Sequence, residues 1–285
     1  MISGFSFFHN VSEIGYPFVE SILSVLPIVD EFIAVVVRGS DDTLKRIMEI
    51  QDKKIKIIEV EKYDNLCGNE YFRFYTDLAL RNCQGIWRVY IQADEVLIPE
   101  SYEIIKSAMK KYENSQKILG LVLRYRHFYG SPRYYHDSAP WYRWEIRVVK
   151  NHPHISSWGD AQGFRIKGKK IPVAVLPAYI HHYGWMLPYD YARKKIQRAI
   201  KIRHNQDVDV KDIFTQTEGL KIFNGKHPEL MNEFISKNRW EFEPKIKARP
   251  IKRIIQNVVA NITEKIFKRR FLEYQNFKIV EYFNA

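Results

Sequence analysis

Two adjacent acids, Asp94 and Glu95, follow an apolar strand pattern at residues 87–92 and are well placed to do chemistry. Acids at the carboxyl end of a strand in an α/β sheet lie where such sheets bind ligands. A carboxylate there can hold a hard divalent cation, which in turn can hold phosphate oxygens. Acids are also common in ordinary polar turns at the ends of strands. The pattern therefore predicts either a phosphate-binding metal site or a simple strand end.

The elements before these acids alternate between strand and helix. Apolar runs at 2–8, 32–37 and 55–60 predict three strands that precede the one at 87–92, with helical patterns between them. This order implies a largely parallel sheet with helical crossovers. We therefore predict an α/β fold with a mostly parallel sheet and helices on both of its faces.

The pattern changes after residue 115, where longer strands rich in aromatic residues and arginine are predicted at 118–128 and 142–149. The other segments predicted here are turns at 151–170, short strands at 171–175 and 178–183, and a basic helix at 188–204. Carbohydrate packs on aromatic faces, and single-stranded nucleic acid is bound by the same residue types. A plain strand core collects aromatic residues as well, so all three interpretations stay open.

A composition shift after Trp240 indicates a soft domain boundary. We predict one domain over residues 1–240, divided into halves at 1–115 and 116–240, followed by a basic amphipathic segment at 241–285.

This C-terminal segment has apolar residues at helical spacing among nine basic residues, and Glu264 is its one acid between 245 and 270. The apolar positions are Ile251, Ile254, Ile255, Val258, Val259, Ile262 and Ile266. Such a stripe is typical of a helix that packs on its domain and leaves its charges in water. It is also typical of a helix that lies on a membrane surface.

Composition limits the class of protein and its partners. The chain has 285 residues, with 45 Lys and Arg against 33 Asp and Glu, which gives a formal charge of +12. A basic balance favours polyanionic partners such as nucleic acid, anionic lipid or phosphorylated small molecules. The two cysteines, Cys67 and Cys83, form no disulfide framework, which indicates a reducing compartment. Without a signal peptide or an apolar run of membrane-spanning length, we predict a cytoplasmic protein.

Several segments together resemble a known family. They are Gly39–Thr43 after the second strand, the Arg-bearing helix Glu70–Leu80, then Gly85–Trp87 and Gln92–Glu95. In this order and spacing they resemble the nucleotide-sugar half of a GT-A glycosyltransferase of the broad family 2 type, over roughly residues 2–128. Further along, Asp160–Arg165 and His182–Trp185 resemble elements of one bacterial branch of sugar transferases.

The resemblance implies a GT-A (Rossmann-like) fold with a C-terminal helical appendage. It implies an inverting enzyme that moves a sugar from a nucleotide-diphosphate donor to a glycan or glycolipid acceptor, in the cytoplasm or at the inner face of an anionic membrane. The implied donor-binding residues are Asn10, Asp41, Arg73, Gln92 and Asp94. The implied metal ligands for Mn²⁺ or Mg²⁺ are Asp94 and His182, and such an ion would neutralise the departing diphosphate.

Three of these residues have a structural alternative. His182 is equally compatible with a hydrogen-bonded core histidine. Asp41 is favoured as a helix-capping residue. Arg73, flanked by aromatic residues, is expected to be half-buried and to meet an anion, or else to lie on the surface of an amphipathic helix.

The chain departs from the family pattern in two places. Gln92 stands where the first acid of the usual motif is expected, and the acid that usually ends the second strand and meets the nucleotide base is replaced near Arg38. Metal binding would therefore depend on Asp94 with fewer acids than usual, and the mode of nucleotide recognition is left open.

Inverting transfer also needs a carboxylate that takes the proton of the acceptor hydroxyl. Asp160, in a glycine-flanked loop, is our first candidate, although it is equally compatible with a turn residue beside glycine. Glu145 is the second, although it could instead pair with Arg143 or Arg147 across the sheet, and Glu95 is a third.

Two other classes of function compete with this hypothesis. A basic nucleic-acid-binding protein would explain the charge, but no familiar nucleic-acid motif occurs, which makes nucleic acid an unlikely partner. A catalytically inactive, sugar-binding relative would explain Gln92.

Overall fold

The computed structural model describes residues 1–204, 206–210, 213–238 and 240–284. The helices within this part are α1 (Phe18–Val25), α2 (Thr43–Met48), α3 (Gly68–Asn82), α4 (Tyr102–Tyr112), α5 (Tyr189–His204), α6 (Asn232–Lys237) and α7 (Ile251–Phe267). The strands are β1 (Ile2–Phe8), β2 (Glu31–Val37), β3 (Ile55–Val60), β4 (Trp87–Tyr90), β5 (Glu95–Leu97), β6 (Gly120–Tyr129), β7 (Ser131–His136), β8 (Trp144–Lys150), β9 (Ile155–Trp158), β10 (Gly163–Ile166), β11 (Lys169–Trp185), β12 (Lys221–Ile222) and β13 (Phe277–Tyr282).

One mixed sheet carries these strands, with the central order β3-β2-β1-β4-β8-β6-β11-β10-β9. The strands from β3 to β4 are parallel, as predicted. From β8 onwards the sheet is mixed, because β8 runs antiparallel to both β4 and β6. The prediction of a mostly parallel sheet is therefore correct for the first half alone. The second half also contains the hairpins β6–β7 and β9–β10, whose short connections permit antiparallel pairing only.

Helices cover both faces of the parallel half. On one face, α1 and α4 bury Ile22 and Ile105 in a core with strand residues such as Phe32. On the other face, α3 buries Tyr71 and Tyr75 in a second core. Every residue of β2 is buried, as expected for a strand covered on both sides.

The segment around residue 170 is more regular than predicted. Residues 151–170 contain the hairpin of β9 and β10 in place of continuous turns. The two short strands predicted on either side of Pro177 form the single long strand β11, whose pairing with β6 is irregular between Val175 and Tyr179. Such an irregularity accommodates a proline that cannot donate a ladder hydrogen bond.

The C-terminal segment is more than a helical appendage. After α7 the chain returns to the sheet as β13, which pairs in parallel with β11. Phe277, Ile279 and Phe283 are buried there. Residues 241–284 thus add a strand to the sheet as well as carrying the amphipathic helix.

Candidate active site

Asp94 lies in the short loop between β4 and β5, beyond the carboxyl end of a parallel strand. Its backbone oxygen accepts a hydrogen bond from Tyr183 N in β11 at 2.7 Å. A Cβ atom on Gly184 would lie only 2.1 Å from Asp94 Oδ2, so the close approach requires glycine. The loop and the end of β11 therefore hold the Asp94 carboxylate in place.

Two side chains contact this carboxylate. His182 Nε2 lies 3.3 Å from Asp94 Oδ2, and Lys195 Nζ of α5 lies 3.5 Å from the same oxygen. Burial alone would raise the pKa of Asp94, but His182 and Lys195 outweigh it and lower the pKa below its usual value. Asp94 is thus held as a buried carboxylate between an imidazole and an ammonium group.

The orientation of His182 follows from a chain of hydrogen bonds. His127 Nε2 lies 2.6 Å from the carbonyl oxygen of Tyr142, which can only accept, so this nitrogen donates. Burial lowers the pKa of His127 well below its usual value, so the ring is neutral and its Nδ1 accepts. His182 Nδ1, 3.2 Å away, is then the donor. The Nε2 atom of His182 is left facing Asp94, opposite to the side on which the neighbouring His181 packs.

Lys195 is held in this position by further contacts. Its Nζ atom donates to the carbonyl oxygen of Gly184 at 2.7 Å. The ammonium also lies over the rings of Trp185 and Tyr16, at 4.6 and 5.2 Å from their centroids. Its side chain is 16% exposed. Aromatic faces and a carboxylate together stabilise a desolvated cation.

The described residues do not fit a resident divalent cation well. Asp94 and His182, the predicted ligands, do come together. However, no third His, Cys, Asp or Glu completes a metal-binding group within the described part of the chain. Lys195 stands where a metal bound to Asp94 would meet a fixed positive charge, and like charges repel strongly in a buried site. Mn²⁺ or Mg²⁺ therefore stays a prediction of the family resemblance, which this donor set does not favour.

A buried ion pair lies beneath this site and involves Glu95. Arg147 of β8 donates to both carboxylate oxygens of Glu95, at 2.7 and 2.9 Å, and Tyr125 OH donates to it at 2.8 Å. Arg147 also donates to Gln92 Oε1 at 3.3 Å. Gln92 Nε2 in turn donates to the Ala161 carbonyl at 3.4 Å. Glu95 is therefore committed to Arg147, and Gln92 links Arg147 to the loop that carries Asp160.

Asp160 shares a cleft with Asp94. This cavity of about 240 Å³ lies between the carboxyl ends of β1 and β4 and helix α5. Lys195, Arg198 and Arg203 of α5 line it together with the two acids. Asp160 Oδ2 accepts from Arg203 Nη2 at 2.7 Å. Among the described residues Arg198 forms no ion pair, and its guanidinium donates to the backbone oxygens of His9 and Asn10.

A larger groove of about 800 Å³ continues from the cleft and shares His9, Tyr71 and Arg198 with it. Asn10 lines this groove. Its side chain bonds Ser40, with Oδ1 accepting from the backbone N at 3.0 Å. A Cβ on Gly39 would lie 1.6 Å from Asn10 Oδ1, so glycine is required for this contact. The ends of β1 and β2 are thereby joined beside the groove.

The structure places two predicted donor-binding residues away from the cleft. Asp41 is a structural residue, because its carboxylate accepts from the backbone N of Glu13 at 2.8 Å and of Thr43 at 3.1 Å. Arg73 is exposed, and the expectation that it is half-buried is wrong. The helical period turns Tyr71 and Tyr75 of α3 into the core and leaves Arg73 on the outer face.

Glu145 lies in the core and lines neither the cleft nor the groove. Burial raises its pKa to about 8, against the opposing effects of Arg147 and of Gln162, whose amide donates to Glu145 Oε1 at 2.6 Å. Its Oε2 atom is buried without a hydrogen-bond partner in the described structure. An uncharged, enclosed carboxyl group is poorly placed to meet an acceptor hydroxyl.

No role follows from the sequence for Lys195, Arg198 and Arg203, although α5 was predicted to be basic. Lys195, Arg198 and Ile202 are nevertheless at helical spacing, which places all three on one face and could have indicated a shared role. Arg147 gave no such signal, since its partner Glu95 lies far away in the sequence.

Comparison with known proteins shows only partial similarity. No family model matches the chain, and no curated protein matches its sequence. Among solved structures, S. aureus TarS 1-349 covers 45% of this chain at 15% identity with a TM-score of 0.35. The same fragment in complex with UDP covers 46% at 17% identity, also with a TM-score of 0.35. A mycobacterial protein covers 45% at 19% identity with a TM-score of 0.31.

The chain spans about a third of the length of the TarS 1-349 structures, at 35% and 37%. At these TM-scores the similarities support no conclusion about function. A functional proposal therefore depends on the geometry of the site.

Proposed function

We propose that this chain is a glycosyltransferase that takes a nucleotide-diphosphate sugar in the cleft and groove beside α5. The observation that carries the proposal is the meeting of Asp94 and Asp160, from two separate loops, with Lys195, Arg198 and Arg203 in one cleft. Such a set can bind a diphosphate through its cations, while the Asp160 carboxylate, held through Oδ2 by Arg203, is available for proton transfer.

The donor would occupy both the cleft and the groove. The groove, lined by Asn10, Tyr71 and Arg198, has room for the nucleoside. The cleft near Asp94 would then hold the diphosphate and the sugar. Lys195 and Arg198 supply positive charge there, and such charge stabilises a leaving diphosphate when it is fixed in advance.

The chemical step is a displacement at the anomeric carbon of the sugar. The acceptor hydroxyl oxygen forms the new bond to this carbon while its proton passes to the Asp160 carboxylate. The bond from the carbon to the diphosphate oxygen breaks, and its electron pair stays on the diphosphate, next to Lys195 and Arg198. Inversion follows from attack opposite the leaving group.

A separate cavity supports an acceptor site on the far side of the Asp160 loop. It has a volume of about 420 Å³ and is lined by Gln162, by Trp141, Tyr142 and Trp144, and by arginine side chains. Gln162 follows Asp160 by two residues, so this loop borders both the cleft and the separate cavity. Aromatic faces and arginine suit an anionic glycan or glycolipid.

A thermal-shift panel of nucleoside diphosphates and their sugars tests the proposal. A ligand that binds only the folded state raises its stability by about 2.7 kcal/mol at a hundredfold excess over its dissociation constant. We expect one nucleotide family to stabilise the protein and its sugar form to be slowly hydrolysed. Stabilisation without hydrolysis or transfer would favour the inactive relative. A response to single-stranded DNA alone would overturn the proposal.

A further inference from the structure

Helix α7 presents its apolar side to solvent. Six residues form what we call the apolar stripe: Ile251, Ile254, Ile255, Val258, Ile262 and Ile266. Their exposed fractions run from 48% for Ile254 to 75% for Ile251. Within α7, all of which is described, only Ala260 is buried. A helix that packs on its own domain normally turns such a stripe inward.

Polar contacts hold α7 in this orientation. Asn261 Oδ1 accepts from Arg143 and from Arg270, each at 3.1 Å. Glu264 accepts from Tyr282 OH of β13 at 2.7 Å and pairs with Arg270. The polar side of the helix is therefore bound to the sheet, and the outward direction of the stripe follows from these bonds.

The exposed apolar surface continues past the end of the helix. Phe267, the last residue of α7, is exposed, and so are Phe271, Leu272 and Tyr274 in the following segment. A contiguous apolar patch of this kind marks an interaction surface in a folded protein.

The charges around the stripe have one sign. Lys252, Arg253, Lys265, Lys268 and Arg269 are all exposed on α7 and just after it. Glu264, the one acid between residues 245 and 270, points inward to Arg270 and Tyr282. The surface that covers the stripe must therefore be apolar at its centre and negatively charged at its rim.

We propose that α7 docks the protein on the surface of an anionic lipid bilayer. An amphipathic helix with a basic rim lies in the plane of a bilayer, its apolar side buried at the headgroup boundary. No described helix combines the length and the apolar character needed to cross a bilayer. In this proposal α7 lies along the membrane, and the inference stands whether or not the proposed transfer activity is correct.

Substitution within the stripe is a sharper test than truncation, because removing the C-terminal segment also removes β13 from the sheet. The test variant is Ile251→Ser with Ile255→Ser and Ile262→Ser. The matched control is Met48→Ser with Ile86→Ser and Ile222→Ser, which are also exposed apolar residues but lie outside α7. Circular dichroism and thermal melts should show all of these proteins folded, since every replaced side chain already faces solvent.

The binding assay is co-sedimentation with vesicles of phosphatidylcholine alone, or of phosphatidylcholine and phosphatidylglycerol in equal parts. We expect the full chain and the control variant to bind the anionic vesicles at low salt. The stripe variant should bind at least about tenfold more weakly, because it loses apolar burial at the headgroup boundary.

A second pair of variants tests the charge. Lys252→Glu with Lys265→Glu should weaken binding to anionic vesicles by at least about tenfold, since each basic residue contributes to attraction near the surface. Lys110→Glu with Lys117→Glu makes the same change in net charge at exposed sites on α4 and beyond it, and should bind much as the unaltered chain does.

Two results would overturn the inference. One is that the full chain fails to sediment with anionic vesicles at low salt. The other is that light scattering shows a dimer which the stripe variant converts to a monomer, with no vesicle binding, since a second copy would then cover the stripe.

Discussion

Lys195 Nζ and His182 Nε2 contact the same oxygen of Asp94, at 3.5 and 3.3 Å, and so place a protein cation where the family resemblance predicts a metal. The ammonium group is fixed by the Gly184 carbonyl and by two aromatic faces. In a metal-dependent site the positive charge comes from a bound cation. Here a lysine side chain of the protein supplies it.

The first prediction is that diphosphate binding needs Lys195 and no divalent cation. Lys195→Ala should weaken the binding of nucleoside diphosphate by about 2 kcal/mol, or roughly thirtyfold, because a charge-assisted contact is lost. EDTA should leave the affinity of the unaltered protein unchanged. Isothermal titration calorimetry, with inorganic pyrophosphate as a base-independent probe, measures both effects.

Lys110→Ala is the matched control for this experiment, since Lys110 is an exposed lysine on α4 that lines neither the cleft nor the groove. Binding that appears only with Mn²⁺ would contradict the prediction and restore the metal, while leaving the proposed transferase intact. Absence of any nucleotide binding, with or without metal, would instead contradict the proposed function.

The second prediction separates the two candidate bases. Asp160→Asn keeps a hydrogen-bond acceptor for Arg203 but cannot take a proton, so donor affinity should persist while transfer falls by about a hundredfold or more. Glu145→Gln should transfer at close to the unaltered rate. Single-turnover assays with saturating donor measure the chemical step. The reverse pattern would assign the base to Glu145.

The third prediction concerns the dependence of stability on pH through Glu145. In the folded protein the Glu145 carboxyl group, with a pKa of about 8, keeps its proton up to that pH. In the unfolded chain a glutamate releases its proton at about pH 4.3. Between these values the folded state binds more protons, so the free energy of unfolding falls as pH rises, by at most about 1.4 kcal/mol per pH unit.

Glu145→Gln removes this titration. Relative to the unaltered protein, the variant should gain stability as the pH of urea denaturation is raised from about 5 to about 9. A difference in stability that does not change with pH would show that Glu145 is ionised in the folded state at all of these pH values.

The fourth prediction concerns the buried pair of Glu95 and Arg147, both of which have fully buried side chains. Glu95→Gln should destabilise the protein by about 3–5 kcal/mol, because it leaves a buried guanidinium without its counter-charge. Combining Arg147→Met with Glu95→Leu should recover much of this loss. Guanidinium denaturation gives both values, and a single-variant loss under about 1 kcal/mol would place the pair in contact with water.

The parallel half of the fold could be predicted because its signals are local. Each of β1, β2 and β3 is an apolar run of strand length, and covering helices follow the helical period. The second half depends on pairings between distant segments. Nothing near Phe277 or Ile279 in the sequence indicates that they pair with β11.

The candidate site shows the same division. Asp94 directly follows an apolar strand, which makes it recognisable in the sequence, and the family resemblance implies His182 as its partner; the two do meet. Lys195, which contacts Asp94 as well, lies in α5. The helical period indicates which residues of α5 share a face, but it does not indicate which strand ends that face covers. The burial of Glu145 likewise depends on the hairpin of β9 and β10, which brings Gln162 against it.

In the proposed membrane-bound state, the outward stripe of α7 would have a kinetic consequence. A protein held on a bilayer meets a lipid-borne acceptor by lateral diffusion, so the effective concentration that matters is the number of acceptors per unit of membrane area. Adding plain anionic vesicles at a constant amount of acceptor would then slow turnover, although the bulk acceptor concentration is unchanged. A water-soluble acceptor would show no such surface dilution.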